Sequence, residues 1–398
     1  MCECRAMAST RWDEDYDEPA MRRLPTGDGV FVVKAQMGAG KTKALRELCA
    51  AAPDASVLLL TFSRALAAKL VSDFIGFHDY QGSAGRLAEQ RVVVCLDSLH
   101  RVPVERRFDL VILDEAVSVL LHFNSPLMKR AADNVARLDA LARSCRALFF
   151  VDAASDLPFV DRVVRYFADA RGCSTRRIRN RYVRPTNRKV DVYRKPRGRQ
   201  AHDVICAAVR RGERVAVCSS TKTFVVELQD HAALRCPGAR VVTHVGASGG
   251  VEAEPLRDVD AIWARADLLI YSPAVTAGVS FELPHFDRLF ANLVRSKFTP
   301  GVEVSLQQLF RVRQLRDGGM TIFFSEFGSD DYQPPDSVDC PRFGGLNPRE
   351  PGAVDHRTPL GRLVAQGVLD MRRRSDDDYV GVLVRALRED HGLEVSTW

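Results

Sequence analysis

The sequence predicts an α/β protein built as two successive parallel-sheet halves with a short C-terminal extension. From residue 31 to residue 152, apolar runs of strand length alternate with segments of helical periodicity, the pattern of a parallel sheet covered by helices. The same alternation restarts at residue 214 and runs to residue 324, after an Arg-rich stretch. Hydrophobic content of 46% and charged content of 27% place the 398-residue chain among globular proteins, with enough length for two or three domains.

The elements follow in order. Residues 1–25 form an acid-rich leader, with five acids in Arg11–Glu18, and such low hydrophobicity predicts disorder. Residues 26–184 form the first half. Phe31–Val33 is a buried strand, followed by Gly38, Ala39 and Gly40 and then by the helical stretch KALRELCAA. A strand, a glycine turn and a helix N-terminus together cradle phosphate, because free amides and the helix dipole both attract an anion. Lys41 would reach the β/γ-phosphates of a nucleotide, and the Thr42 hydroxyl would ligate Mg²⁺. The loop lining is Ala35, Gln36, Met37, Gly38, Ala39, Gly40, Lys41 and Thr42, with Ala35 where the strict phosphate-loop pattern has glycine. Val57–Leu60 and Arg91–Cys95 are further strands, with Ser63 as helix cap after the first. Phe108–Leu113 then delivers Asp114 and Glu115 at its carboxyl end. There Asp114 would hold Mg²⁺ through water, and Glu115 would orient or deprotonate the attacking water. Ala147–Val151 closes the half with Asp152 at its end.

The net charge of +6 is unevenly placed: Arg171–Gln200 carries twelve Arg or Lys residues against one acid, Asp191. Such a block reads either as a track for nucleic-acid phosphates, with Arg176, Arg177, Arg179 and Arg181 at its centre, or as a solvated linker. Tyr182 and Tyr193 would add base stacking to a track. In the second half, residues 185–328, the strands are Arg214–Cys218, Arg240–His244, Asp267–Tyr271 and Met320–Phe324. Val302–Arg316 reads as one amphipathic helix presenting Gln307, Arg311 and Arg313. A solvated face and a phosphate-binding face both fit that pattern. Residues 329–398 form the extension: a Pro/Gly/Asp-rich loop from Gly328 to Pro359, then helices over Leu360–Met371 and Tyr379–Glu389.

No apolar run has the roughly 18 residues that a membrane span needs. The ten cysteines match no zinc spacing, so reduced thiols and an intracellular setting are expected.

In this order the motifs resemble those of superfamily 2 helicases, and within them the helicase region of the herpesvirus-type replication origin-binding proteins. AQMGAGKT (35–42), TFSRALA (61–67), LDSLHRV (96–102), DEAV (114–117), VDAA (151–154), SSTK (219–222), VTAGVSF (275–281) and QQLFRVRQ (307–314) carry the resemblance. It implies two RecA-like parallel-sheet domains of the P-loop NTPase class, with ATP and Mg²⁺ held in the cleft between them. By the same resemblance Arg64 and Ser98 lie along the DNA backbone, and Gly278 with Ser280 links DNA to nucleotide. Arg311 and Arg313 become arginine fingers, with Gln307 beside them at the nucleotide. DNA, single-stranded or forked, is the implied partner together with other replication proteins, at a nuclear or viral replication site. The chain departs from the pattern where motif III lacks Ser-Ala-Thr and where Phe310 stands for the glycine usual in motif VI. Those departures also fit a helicase-like DNA-binding or assembly factor with little turnover. With only a short, loop-rich stretch after residue 324, sequence-specific origin recognition by this chain alone is not expected.

Overall fold

The computed structural model describes residues 11–83, 85–123, 128–186, 188–194, 198–244, 259–272, 280–295, 301–326 and 358–398. The chain divides into two compact units, Met1–Arg184 with Pro335–Asp370, and Pro185–Pro334 with Met371–Trp398.

The first unit holds a parallel sheet of β1 (Glu14–Tyr16), β2 (Gly29–Ala35), β3 (Val57–Thr61), β4 (His78–Asp79), β5 (Arg91–Cys95), β6 (Leu110–Asp114), β7 (Ala147–Asp152) and β8 (Thr175–Asn180). Their spatial order is β1-β8-β2-β7-β6-β3-β5-β4. Val57, Leu58, Leu59 and Leu60 are all fully buried, as continuous apolar runs must be when a parallel sheet is covered on both faces. The covering helices are α1 (Lys41–Ala50), α2 (Arg64–Asp73), α3 (Ala116–His122), α4 (Ala131–Ser144) and α5 (Pro158–Arg171). Ser63 caps α2, its Oγ accepting the Leu66 N–H at 3.1 Å.

Register decides where the chemistry falls. β7 lies between β2 and β6, pairing Asp152 with Lys34 and Val151 with both Val33 and Asp114. Strands in a sheet stand about 4.8 Å apart. The phosphate-loop strand, the strand bearing Asp114 and the strand bearing Asp152 therefore end side by side, at the edge where parallel sheets bind ligands.

The second unit repeats the plan with β9 (Lys189–Arg194), β10 (Val215–Ser219), β11 (Val241–His244), β12 (Leu268–Tyr271), β13 (Arg288–Arg295), β14 (Gly319–Glu326) and β15 (Glu394–Thr397). Their order is β11-β12-β10-β13-β14-β9-β15. Alternate residues feed two cores. Val215, Val217, Leu268, Ile270, Phe290 and Phe323 pack on α6 (Gly198–Arg210) and α7 (Lys222–Arg235). Ala216, Cys218, Leu269, Tyr271, Leu289, Ala291, Ile322 and Phe324 pack on the other face, with residues of α8 (Val259–Trp263) and α9 (Val302–Leu309). α10 (Pro359–Asp377) and α11 (Tyr379–Arg385) follow, and Tyr379, Val380 and Leu383 of α11 join this second core.

Four expectations need correction. The acid-rich leader is ordered from residue 11 onward, since β1 pairs with β8 from Glu14↔Ile178 to Tyr16↔Asn180. The Arg-rich block is not a linker throughout, because Thr175–Asn180 and Lys189–Arg194 are strands. The helix read over Val302–Arg316 stops at Leu309. Beyond it the chain bridges in parallel to Phe281 through Val312, so Arg311 and Arg313 are not on a helix. Finally, β13 runs through Leu289–Val294, an apolar stretch not read as a strand, at the centre of the sheet between β10 and β14. The loop expected from Gly328 to Pro359 lies almost wholly outside the described residues, as do Gly278, Cys2 and Cys4.

Candidate functional site

At the end of β2 the chain turns through Gln36–Gly40, where the Ala39 N–H donates to the Gln36 carbonyl at 3.2 Å. Gly38 and Gly40 have φ of +82° and +90°, left-handed conformations that side-chain-bearing residues adopt only with strain. No side chain caps α1, so the amides of its first turn, at Lys41, Thr42 and Lys43, carry the helix's positive end without a side-chain acceptor. Lys41 is buried and folds back over its own loop, its Nζ donating to the carbonyls of Ala35 at 2.9 Å and Gln36 at 3.3 Å. Thr42 sits half-buried in the same turn.

The adjacent strand ends supply acid. Asp114 and Asp152 are 4% and 3% exposed. Burial first, and then the Glu115 carboxylate, push both carboxyls up to about 7, with Lys41 pulling the other way. Glu115 has φ of +56°, the one positive φ among described residues other than glycine. Strain of that kind persists where surrounding structure enforces it, characteristically at sites of chemistry. Asp152 stands where the resemblance places motif III and joins two elements: its Oδ2 accepts the Val117 N–H of α3 and its Oδ1 the Ala154 N–H, both at 2.9 Å. The turn after it is tied to β2, with Ser155 Oγ donating to the Val33 carbonyl at 2.9 Å and Lys34 Nζ to Asp156 at 2.6 Å. Ser155 and Asp156 thus tie the turn after β7 to the phosphate-loop strand. Sequence reasoning had no signal for either.

Asp114 and Asp152 both feel the charge of Lys41, and a carboxylate at this strand end is a hard oxygen donor of the kind divalent cations take. The uncapped helix end beside them suits an anion. The residues present therefore fit a magnesium–nucleotide phosphate: Lys41 and the α1 amides for the anion, Thr42 and Asp114 for the cation.

The nucleic-acid candidates fall in two places. Arg64 opens α2 and is exposed, while Ser98 lies half-buried in a turn of 3₁₀ helix, Leu96–Arg101. Their strands β3 and β5 are neighbours, so both sit at the carboxyl edge of the sheet. Between them lie residues the sequence did not single out. His122 Nε2 bonds Asp97 at 3.2 Å, and Phe62 lies 6.1 Å from the His122 ring. Burial pushes the Asp97 carboxyl up, but the hydrogen bond and charge of His122, with Arg64 nearby, hold it below its ordinary value.

The basic block is different. Arg176 pairs with Glu14 at 2.6 Å, Arg177 with Asp161, Arg179 with Asp15, and Arg181 with Asp15 at 3.1 Å. Each of the four arginines therefore faces a carboxylate, three of them pairing with Glu14 or Asp15 of the leader strand β1. In the second unit, Tyr193 stacks beside Trp398 with centroids 6.4 Å apart. Arg311 there is buried, Gln307 is half-buried on α9, and Arg313 Nε donates to Ser280 Oγ at 2.9 Å.

Two parallel-sheet units with this loop and these strand-end acids define the class: the chain has the RecA-like α/β fold of superfamily 2 helicases. Dbp5 of S. cerevisiae, solved with RNA and ADP BeF3, is similar with a TM-score of 0.52 and 16% identity over 76% of this chain and 80% of that one. The DEAD-box helicase Mss116, solved with ssRNA and UDP-BeF, gives a TM-score of 0.53 and 11% identity over 76% of this chain and 67% of that one. At such identities the likeness is one of fold.

The sequence is more specific. The family of the origin of replication binding protein matches residues 7–231 and 251–335, and the chain belongs to that family. The replication origin-binding protein of human herpesvirus 2 is 28% identical over 351 residues, covering 77% of this chain and 38% of that protein. Its counterpart in varicella-zoster virus is 28% identical over 319 residues, covering 72% and 37%. The chain thus spans less than two fifths of the length of these relatives.

Proposed function

We propose that the chain is an ATP-dependent DNA helicase or translocase of the replication origin-binding type, hydrolysing ATP with Mg²⁺ and acting in viral DNA replication. The observation that carries this reading is the convergence of Lys41, Asp114, Glu115 and Asp152 at the ends of three neighbouring strands, beside the uncapped N-terminus of α1. Lys41 leaves its loop carbonyls to neutralise the β/γ-phosphates, and the α1 amides hold the remaining oxygens. Mg²⁺, when bound by Thr42 and Asp114, supplies charge neutralisation at those phosphates. Glu115 orients the attacking water and takes its proton, its strained backbone fixing where the carboxylate points. Arg311 and Arg313 are the guanidiniums assigned to charge developing on the transferring phosphoryl group.

Family membership and the relatives' names support DNA as the partner. Arg64 and Ser98 are assigned to the strand's phosphates, and Phe62 beside them offers a ring to a base. The four arginines of the basic block are left out of this path, because each already faces a carboxylate. Lys41→Ala tests the reading: ATP turnover should vanish while the fold is kept, since among the described residues the Lys41 amine bonds two carbonyls of its own loop. Wild-type turnover in that variant would overturn it.

A further inference from the structure

Arg188, just before β9, is 4% exposed, and no ion pair joins it to a carboxylate among the described residues. A buried guanidinium without a counter-ion is costly and is retained only where other acceptors hold it. Here the acceptors are specific. Nη2 donates to the carbonyl of Val312 at 2.5 Å and to that of Arg313 at 2.7 Å. The guanidinium also lies over the Phe310 ring, 5.4 Å from its centroid, and His391 stacks on that ring at 4.0 Å and 20°.

The same short segment is pinned from Phe281, whose N–H donates to the Arg311 carbonyl at 2.8 Å and whose carbonyl accepts the Arg313 N–H at 2.9 Å. Three successive carbonyls, those of Arg311, Val312 and Arg313, are thereby held, two of them by Arg188. This accounts for Phe310 where a glycine is usual: its ring is the surface on which Arg188 and His391 lie.

We propose that Arg188 is a positioning residue for the arginine-bearing segment, aiming Arg311 and Arg313 by clamping the two carbonyls between and after them, with Phe310 as its platform. The proposal rests on the ATP-hydrolysis reading above. Burial draws the Arg188 pKa down to about 10, so the clamp stays charged at neutral pH. Lysine at this position keeps charge and length but loses the planar guanidinium that lies over Phe310 and sets the direction of Nη2 towards the two carbonyls.

The test uses the full chain in three forms: wild type, Arg188→Lys and Arg311→Ala, with the double variant of the last two. ATP hydrolysis and binding of a fluorescent ADP analogue are measured on each. Arg188→Lys should lower kcat by about 10- to 100-fold, as misplacement of a transition-state group does, with analogue affinity and thermal midpoint near wild type. It should lower kcat less in the Arg311→Ala background, where only Arg313 remains to be aimed. Additive losses in the double variant, or wild-type kcat in Arg188→Lys, would overturn the role. Phe310→Leu, which removes the platform ring, should give a smaller kcat loss of the same kind. If it instead lowers only the thermal midpoint, the stack is packing alone and the proposal fails. An inactive wild type would strike the ATP reading first and this role with it, whereas active wild type with active Arg188→Lys strikes this role alone.

Discussion

Replacing Asp114 by Asn should stabilise the ligand-free first unit at alkaline pH. Asp114 and Asp152 are buried carboxyls whose pKa values rise to about 7 from an ordinary 3.8. A group whose folded pKa is raised contributes its stability below its unfolded pKa and loses it as pH climbs through the folded value. The cost is thus absent near pH 4, grows between pH 4 and 7, and is complete by pH 8. At about 1.36 kcal/mol per unit, each ionised carboxyl carries on the order of 4 kcal/mol of unfavourable burial and repulsion. The two share part of that repulsion through Glu115, and an Asn amide needs its own partners, so Asp114→Asn should recover about 2–4 kcal/mol. Amide hydrogen exchange across Leu110–Asp114 and Ala147–Asp152 reads this directly, since those strands flank the site. At pH 8 the variant should exchange about 30- to 1,000-fold more slowly than wild type, and the difference should shrink towards pH 5. Equal or faster exchange at pH 8 would show that the acids are not held against their charge, and that the site was not built to receive a cation.

Two further outcomes follow from the same geometry. Glu115→Gln should keep nucleotide binding, because Thr42, Lys41 and Asp114 remain, yet lose turnover; loss of analogue binding with an intact fold would contradict that division of roles. Glu14→Gln with Asp15→Asn should release Arg176, Arg179 and Arg181 from their partners yet change the log–log salt slope of single-strand binding by less than about 0.7, because this sheet edge lies off the proposed path. A slope steeper by about 2, three freed arginines' worth, would put this edge on the DNA path instead.

Much of the fold was legible because parallel strands buried on both faces are written as bare apolar runs, as in Val57–Leu60 and Ala147–Val151. What was hidden depended on partners distant in sequence. β8 alternates arginine with buried Ile178 and Asn180, and reads as a charge run until the acids of β1, some 160 residues earlier, are seen to neutralise it. The helix over Val302–Arg316 was overextended because its periodicity continues past Leu309, and nothing local shows Phe310 caught by Arg188 and His391. β13 carried its own signal in Leu289–Val294, obscured by Asn292, a polar residue that is buried because its amide donates to Ser219 Oγ at 3.1 Å. In the site, Lys41, Asp114 and Glu115 could be named from spacing. The strained backbone of Glu115 and the bridging roles of Asp152, Ser155 and Asp156 are properties of three strands in register, and no single segment contains them.

The proposed function requires that this chain turn over ATP in response to DNA. The most direct measurement is the steady-state rate of ATP hydrolysis by the wild-type chain with Mg²⁺, with and without single-stranded DNA. A translocase of this type should show a Mg²⁺-dependent rate that rises when the strand is added. No hydrolysis in either condition, from a folded protein that still binds DNA, would contradict it and leave a helicase-like binding factor in its place.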